Sequence, residues 1–481
     1  MTAMTARQPG KWLLWMLWLF LGLSVLQPSD DLFRFVYFAA ILPLTLYLYW
    51  HNREHEQRLL LSLVPGVALL LFLFVTVTWS SHEDESTGRY FRWFLETAIF
   101  FAAVVRCGYE IRRENLAFGR YLHLIVLAAA LGSLSIYIFQ GHYPGRLEGT
   151  GLLGHSILGS SVLISCWALG TLDPKMYTNR WPWLLVGSGI AVVAFVYLSQ
   201  SRGPILALCG FLLCLMVLLL LKSGPTRYWG IALGAVLVGI SVAATETELF
   251  ASMTGRGDSY RLEIWSAIIG QWRSFWLTGV GIATPFPASE AGQAVREATQ
   301  RPIAHPHNIL ISIWLFAGVP GLLLFFGFVF HLLTRVWSSL ISPWRGLGLS
   351  ILLVVAALCF TDTYRLISSP RPMWIIFWLP LGFLLGWSVA FRSRSEVIAR
   401  QLTWPVRLMQ QVHRLDRCDG VEMAIIVEVS QIAGYCRPVF HPSTFPLVNY
   451  GRDAVATFGE YSGIVQYYFP ASTDCVAQHY I

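Results

Sequence analysis

The chain has 481 residues, 55% hydrophobic and 13% charged, where a soluble domain runs at about 45–50% and about 25%. Its mean hydropathy of +0.57 and its 20 Trp and 30 Phe exceed what one soluble core buries, since such cores stop growing near roughly 250–300 residues. A soluble enzyme is excluded, and the net charge of +7, spread singly between apolar runs, forms no patch for nucleic acid.

A helix that crosses a bilayer needs about 20 mostly apolar residues. About twelve such runs follow one another: Trp12–Leu26, Leu32–Trp50, Leu59–Trp79, Tyr90–Val105, Tyr121–Phe139, Leu152–Leu169, Trp183–Leu198, Ile205–Leu221, Trp229–Ala244, Ile309–Leu333, Leu347–Phe360 and Met373–Phe391. They predict an all-α polytopic membrane protein. Arg7 and Lys11 precede the first run, but no small-residue cleavage site follows it, so it reads as an uncleaved span.

Cytoplasmic loops hold the excess of Lys and Arg. Alternate connections carry Arg7 and Lys11, Arg53 and Arg58, Arg106, Arg112, Arg113 and Arg120, Lys175 and Arg180, Lys222 and Arg227, and Arg335 and Arg345. That set is assigned to the cytoplasm, with both termini. The opposite face receives the acidic run Glu83-Asp84-Glu85 and one large loop, about 245–308. From Ser259 in that loop, Leu262, Trp265, Ile268 and Ile269 recur at helical spacing and predict a membrane-surface helix.

Of the eight cysteines, Cys166, Cys209, Cys214 and Cys359 fall in spans, Cys107 in an inner loop and Cys418, Cys436 and Cys475 in the tail. None is placed outside, so no outer disulfide framework is expected. Residues 392–481 form a cytoplasmic tail to which no role is assigned. Its first part, Arg394–Arg417, is basic with scattered apolar residues and suits the inner membrane surface.

Three outer-face clusters carry candidate chemistry. Arg202, in the tight turn Ser199-Gln200-Ser201-Arg202-Gly203-Pro204, stands at a membrane boundary, where a charge is costly unless it serves as an anchor or in function. Arg256 and Arg261 flank Asp258 at the start of the surface helix, where backbone N–H groups favour anions; the alternative is that they solvate its polar face or pair with Asp258 and Glu263. His305 and His307 bracket Pro306 at the mouth of a span, and a histidine can act as a base near neutral pH. No third ligand stands nearby in the sequence, so no metal is expected.

The run His307-Asn308, nine residues, then Gly318-Val319-Pro320-Gly321 resembles the signature of the bacterial O-antigen ligases, within the superfamily that includes O-antigen polymerases. Ser201-Arg202-Gly203 before a span, Arg261 four residues before Trp265, and Gly279-Val280-Gly281 ahead of the histidines occur in the family's order. The resemblance covers roughly Trp12–Phe391.

The resemblance implies that residues 1–391 form a twelve-span ligase domain in a bacterial inner membrane with a periplasmic active site. Its donor would be an O-antigen polysaccharide on undecaprenyl pyrophosphate and its acceptor the lipid A core, in lipopolysaccharide biosynthesis. His307 would be catalytic, with Arg202 and Arg261 on the pyrophosphate and Arg256, His305 and Asn308 in support. Transfer would invert the anomeric centre and use no cofactor or metal. Two alternatives stay open: a polymerase of the same superfamily, and a transporter of lipid-linked glycans. Against the transporter stands the scarcity of ionisable residues at span centres, with Glu96 the main exception.

Overall fold

The structure, a computed structural model, describes residues 8–52, 57–81, 86–177, 181–221, 260–339, 344–362, 365–390, 456–458 and 465–467. Its helices are α1 (Gln8–Leu26), α2 (Asp31–His51), α3 (Gln57–Val75), α4 (Thr87–Arg113), α5 (Gly119–Phe139), α6 (Ser156–Gly170), α7 (Pro182–Leu198), α8 (Arg202–Leu220), α9 (Arg261–Gly270), α10 (Glu290–Thr299), α11 (Ile309–Ser339), α12 (Trp344–Asp362) and α13 (Trp374–Ala390). Each expected run falls on one of these helices except Trp229–Ala244, which lies outside the described residues.

Among the described residues, seven helices, α1, α2, α3, α5, α8, α11 and α12, are long and apolar enough to cross a membrane by length and composition. Three apolar helices are shorter: α6, α7 and α13. All of α13 and almost all of α6 are buried, so they stand inside the bundle, apolar on every side, while other helices show large apolar residues outward.

Helices already in an apolar solvent gain little from the hydrophobic effect, so their contacts depend on close packing and small residues. Gly108 of α4 and Gly386 of α13 provide one such contact. A Cβ on Gly386 would lie 1.9 Å from the Val105 carbonyl oxygen, and one on Gly108 would lie 2.4 Å from that of Phe383. More than two turns away along the same two helices, Trp374 stacks on Phe100 at 4.5 Å and Phe100 meets Phe20 at 5.6 Å. Such aromatic pairs contribute about 0.5–1.5 kcal/mol each.

Helix α4 runs two turns beyond its expected apolar run. Cys107, expected in an inner loop, is buried within it, because the charges that ended the run are paired along the helix. Arg106 donates to Glu110, and Arg113 reaches the other Glu110 oxygen at 3.0 Å. At the far end, Glu96 is buried and pairs with Arg92 at 3.3 Å, one turn away.

The described part of the large loop carries α9 and α10, which share a small core of Ile264, Ile268, Phe275, Phe286, Ala291 and Val295. Of the apolar residues expected along α9, Ile268 lies in this core and Trp265 packs against it. Ile264 and Ile268, four residues apart, turn inward against α10, while Leu262 and Ile269 are 66% and 47% exposed. In the separate unit Val397–Ile481, Ala456–Phe458 pairs antiparallel with Val465–Tyr467.

Candidate active site

The centre of the site is a carboxylate supplied by one helix to two histidines at the mouth of another. Asp362 is the last residue of α12, with its side chain 6% exposed. His307 stands just before α11 and is held at φ +56, in the left-handed region. Its Nδ1 lies 2.5 Å from Asp362 Oδ1. His305 Nε2 lies 3.7 Å from the same oxygen, and the two imidazole rings are 3.9 Å apart. Burial holds the His305 pKa below the usual histidine value, against the raising effect of the Asp362 carboxylate and with further lowering by His307 and His155.

A carboxylate accepts only, so His307 Nδ1 carries the proton of this hydrogen bond and Nε2 is left as the ring's acceptor. That arrangement leaves Nε2 able to accept a proton, with Asp362 fixing the tautomer and orientation of the ring.

Asn308, expected in support of His307, caps the helix that follows it. It is 1% exposed, and its Oδ1 accepts from the Leu310 and Ile311 backbone N–H at 2.9 and 3.2 Å. It is the N-cap of α11, a role that contributes about 1 kcal/mol, and it fixes the chain direction just after His307. His155 does the same for α6, accepting from Leu158 N–H at 3.3 Å.

The helix Ile309–Ser339 is broken at Gly318, whose φ of +62 and ψ of −162 only glycine adopts readily. At the break, the segment 276–281 comes alongside. Val280 and Gly281 donate to the carbonyls of Leu315 and Phe316 at 2.8 and 2.9 Å, and Val319 donates to that of Trp276 at 2.9 Å. A Cβ on Gly318 would meet the Leu277 carbonyl oxygen at 2.3 Å, and one on Gly279 would meet Ala317 N at 2.4 Å. The glycines of both sequence motifs are thus two sides of one backbone contact that ties the loop to α11.

Arg202 and Arg261 are each the first residue of a helix, α8 and α9. The preceding residues, Ser201 and Tyr260, make no side-chain cap hydrogen bond to the first amides of these helices. Both helices reach the His307–Asp362 centre through neighbours. A Cβ on Gly203 would lie 2.5 Å from Thr361 Oγ1, next to Asp362. Trp265 of α9 donates to the Pro306 carbonyl at 3.0 Å and packs edge-on against Phe360 at 5.3 Å. Arg146, not singled out in the sequence, holds the turn before Arg202 by donating to the Ser199 carbonyl at 3.0 Å and Ser201 Oγ at 2.9 Å. Arg256 lies outside the described residues.

The expectation that no third metal ligand stands near the histidines is corrected by Asp362. One ligand atom each from His305, His307 and Asp362 lies within 4.8 Å of the others, a set able to hold a metal ion. As placed, however, His307 Nδ1 and Asp362 Oδ1 are 2.5 Å apart, whereas two ligands on one tetrahedral zinc stand about 3.3 Å apart at ordinary bond lengths. Those two atoms share a hydrogen bond.

The O-antigen ligase family model matches residues 185–326, a stretch that contains Arg202, Arg261, His305, His307, Asn308, Gly318 and Gly321 and stops short of Asp362. The chain is also similar to an O-antigen ligase of Pseudomonas aeruginosa, 25% identical over 395 residues that make up 79% of this chain and 92% of that protein.

Proposed function

We propose, on the premise that the chain belongs to the O-antigen ligase family, that it joins O-antigen polysaccharide from undecaprenyl pyrophosphate to the lipid A core oligosaccharide. Membership gives a multi-pass membrane protein with a role in O-antigen and lipopolysaccharide assembly. The finer reading places twelve spans in a bacterial inner membrane, both termini in the cytoplasm, and His307 with the large loop at the periplasmic face.

In this reading the acceptor hydroxyl gives its proton to His307 Nε2 as its oxygen attacks the anomeric carbon. The bond from that carbon to the phosphate oxygen breaks, and its electron pair leaves on undecaprenyl pyrophosphate. Arg202 and Arg261, with the amides that begin α8 and α9, offset the charge that develops there. Asp362 stabilises the imidazolium until the proton passes to water. One displacement inverts the anomeric configuration and calls for no enzymic nucleophile. No metal takes part: two guanidinium groups do the electrostatic work, and His307 and Asp362 are bound to each other.

The observation that carries this reading is the 2.5 Å hydrogen bond from His307 to Asp362, between helices that also bring in Arg202 and Arg261. A deletion strain tests it. Loss of a ligase leaves lipid-linked polymer accumulating and a bare core. A core bearing one repeat unit would instead identify a polymerase, and glycan movement seen only across sealed vesicles would identify a transporter.

A further inference from the structure

A second built site lies at the opposite end of the helix bundle from His307. Helix α5 starts there at Gly119 and rises about 30 Å over its length toward the segment that holds Arg146 against Ser199 and Ser201. Beside that start, a cavity of about 430 Å³ is lined by Asn115, Leu116, Arg120, Asp173, Lys175 and Trp181.

The polar groups of this cavity have an unequal balance of charge. Asp173 is occupied by the backbone: Oδ2 accepts from Phe118 and Gly119 N–H at 2.7 and 2.8 Å, and Oδ1 from Lys175 N–H at 3.0 Å. Its charge is used to cap the start of α5. Lys175 Nζ donates to the Asn115 carbonyl at 2.6 Å, which fixes the ammonium at the rim. Arg120 lies over the Tyr121 ring at 4.5 Å and near that of Trp181 at 5.9 Å, and donates to the Tyr121 hydroxyl. Its Nε is shut away from solvent and meets no acceptor among the described residues. A buried N–H without an acceptor is costly, and a guanidinium is shaped for phosphate oxygens.

We propose that this cavity binds a phosphate group, with Arg120 and Lys175 as its ligands and Trp181 as its wall. An anionic phospholipid headgroup supplies that phosphate most directly. Trp181 and the exposed Trp183 flank the start of the apolar helix α7 in the manner of an interfacial aromatic belt, and basic residues at such a boundary attract anionic lipids. The site is independent of the transfer chemistry at His307.

The test uses the purified full chain in detergent, with phosphatidylglycerol, phosphatidylcholine and inorganic phosphate as probes. Lipid retention by native mass spectrometry and the thermal midpoint are the readouts. Phosphatidylglycerol should be retained and raise the midpoint, and Arg120→Gln should weaken its apparent affinity about tenfold or more. Lys175→Gln, at the half-buried rim, repeats the test should Arg120→Gln fail to fold. Protection of the wild type by inorganic phosphate, lost in the variants, supports the site with a soluble source. Equal retention of both lipids, or equal responses of wild type and variants to every probe, overturns the proposal.

Discussion

His307 Nδ1 and Asp362 Oδ1 stand 2.5 Å apart although 55 residues separate them in the chain. The carboxylate accepts the hydrogen bond from Nδ1–H, which leaves Nε2 as the ring's acceptor. Asp362→Asn removes the charge and lets the other tautomer form. Transfer should fall about 10²-fold or more, as when an orienting carboxylate is neutralised elsewhere, while the thermal midpoint changes little. Near-normal turnover by a folded Asp362→Asn would show that Asp362 does not act through His307.

Arg202→Lys keeps the charge and loses the planar fork that grips a pyrophosphate at two points. Steady-state kinetics with the lipid-linked donor should show kcat/KM lower by about 10- to 100-fold. The acceptor KM should stay close to that of the wild type. An acceptor-side effect alone would move Arg202 off the leaving group.

Gly318→Ala adds a methyl group where the backbone conformation suits only glycine and where a Cβ meets the Leu277 carbonyl oxygen at 2.3 Å. The strain amounts to about 1–3 kcal/mol before the clash is counted. We expect a lower yield of folded protein and a lower thermal midpoint in detergent. A fully stable Gly318→Ala would mean that the contact between 276–281 and α11 is dispensable.

His305 sets a pH dependence of stability. Burial lowers its pKa in the folded protein, so as pH drops below about 6.5 the unfolded chain takes up a proton that the folded one resists. Stability from this residue is therefore complete above that value and declines as pH falls through it. The midpoint of His305→Gln should drop less between about pH 7.5 and about pH 5 than that of the wild type. Equal drops would assign the acid sensitivity to other groups.

Much of this was legible in the sequence because apolar runs and the His-Asn signature are local. Asp362 was missed because it stands apart from the signature, directly after the run Leu347–Phe360. The topology held the clue: a span entering after His307 and one returning bring Asp362 back to the same face. Asn308 adjoins His307 in the signature, and its capping of the first amides of α11 is visible only once the helix start is placed. The inward residues Ile264 and Ile268 of α9 are not separable by periodicity alone, since the partner helix α10 decides which side is buried.

The most direct test of the central claim is turnover by purified wild type and His307→Ala, with lipid-linked glycan and core acceptor in detergent and a chelator present. The account predicts that the wild type forms an inverted linkage undisturbed by the chelator, and that the variant, folded by its thermal midpoint, loses about 10²–10⁴-fold in rate. Near-normal turnover by His307→Ala, or wild-type activity that vanishes with the chelator and returns with a divalent cation, would contradict it.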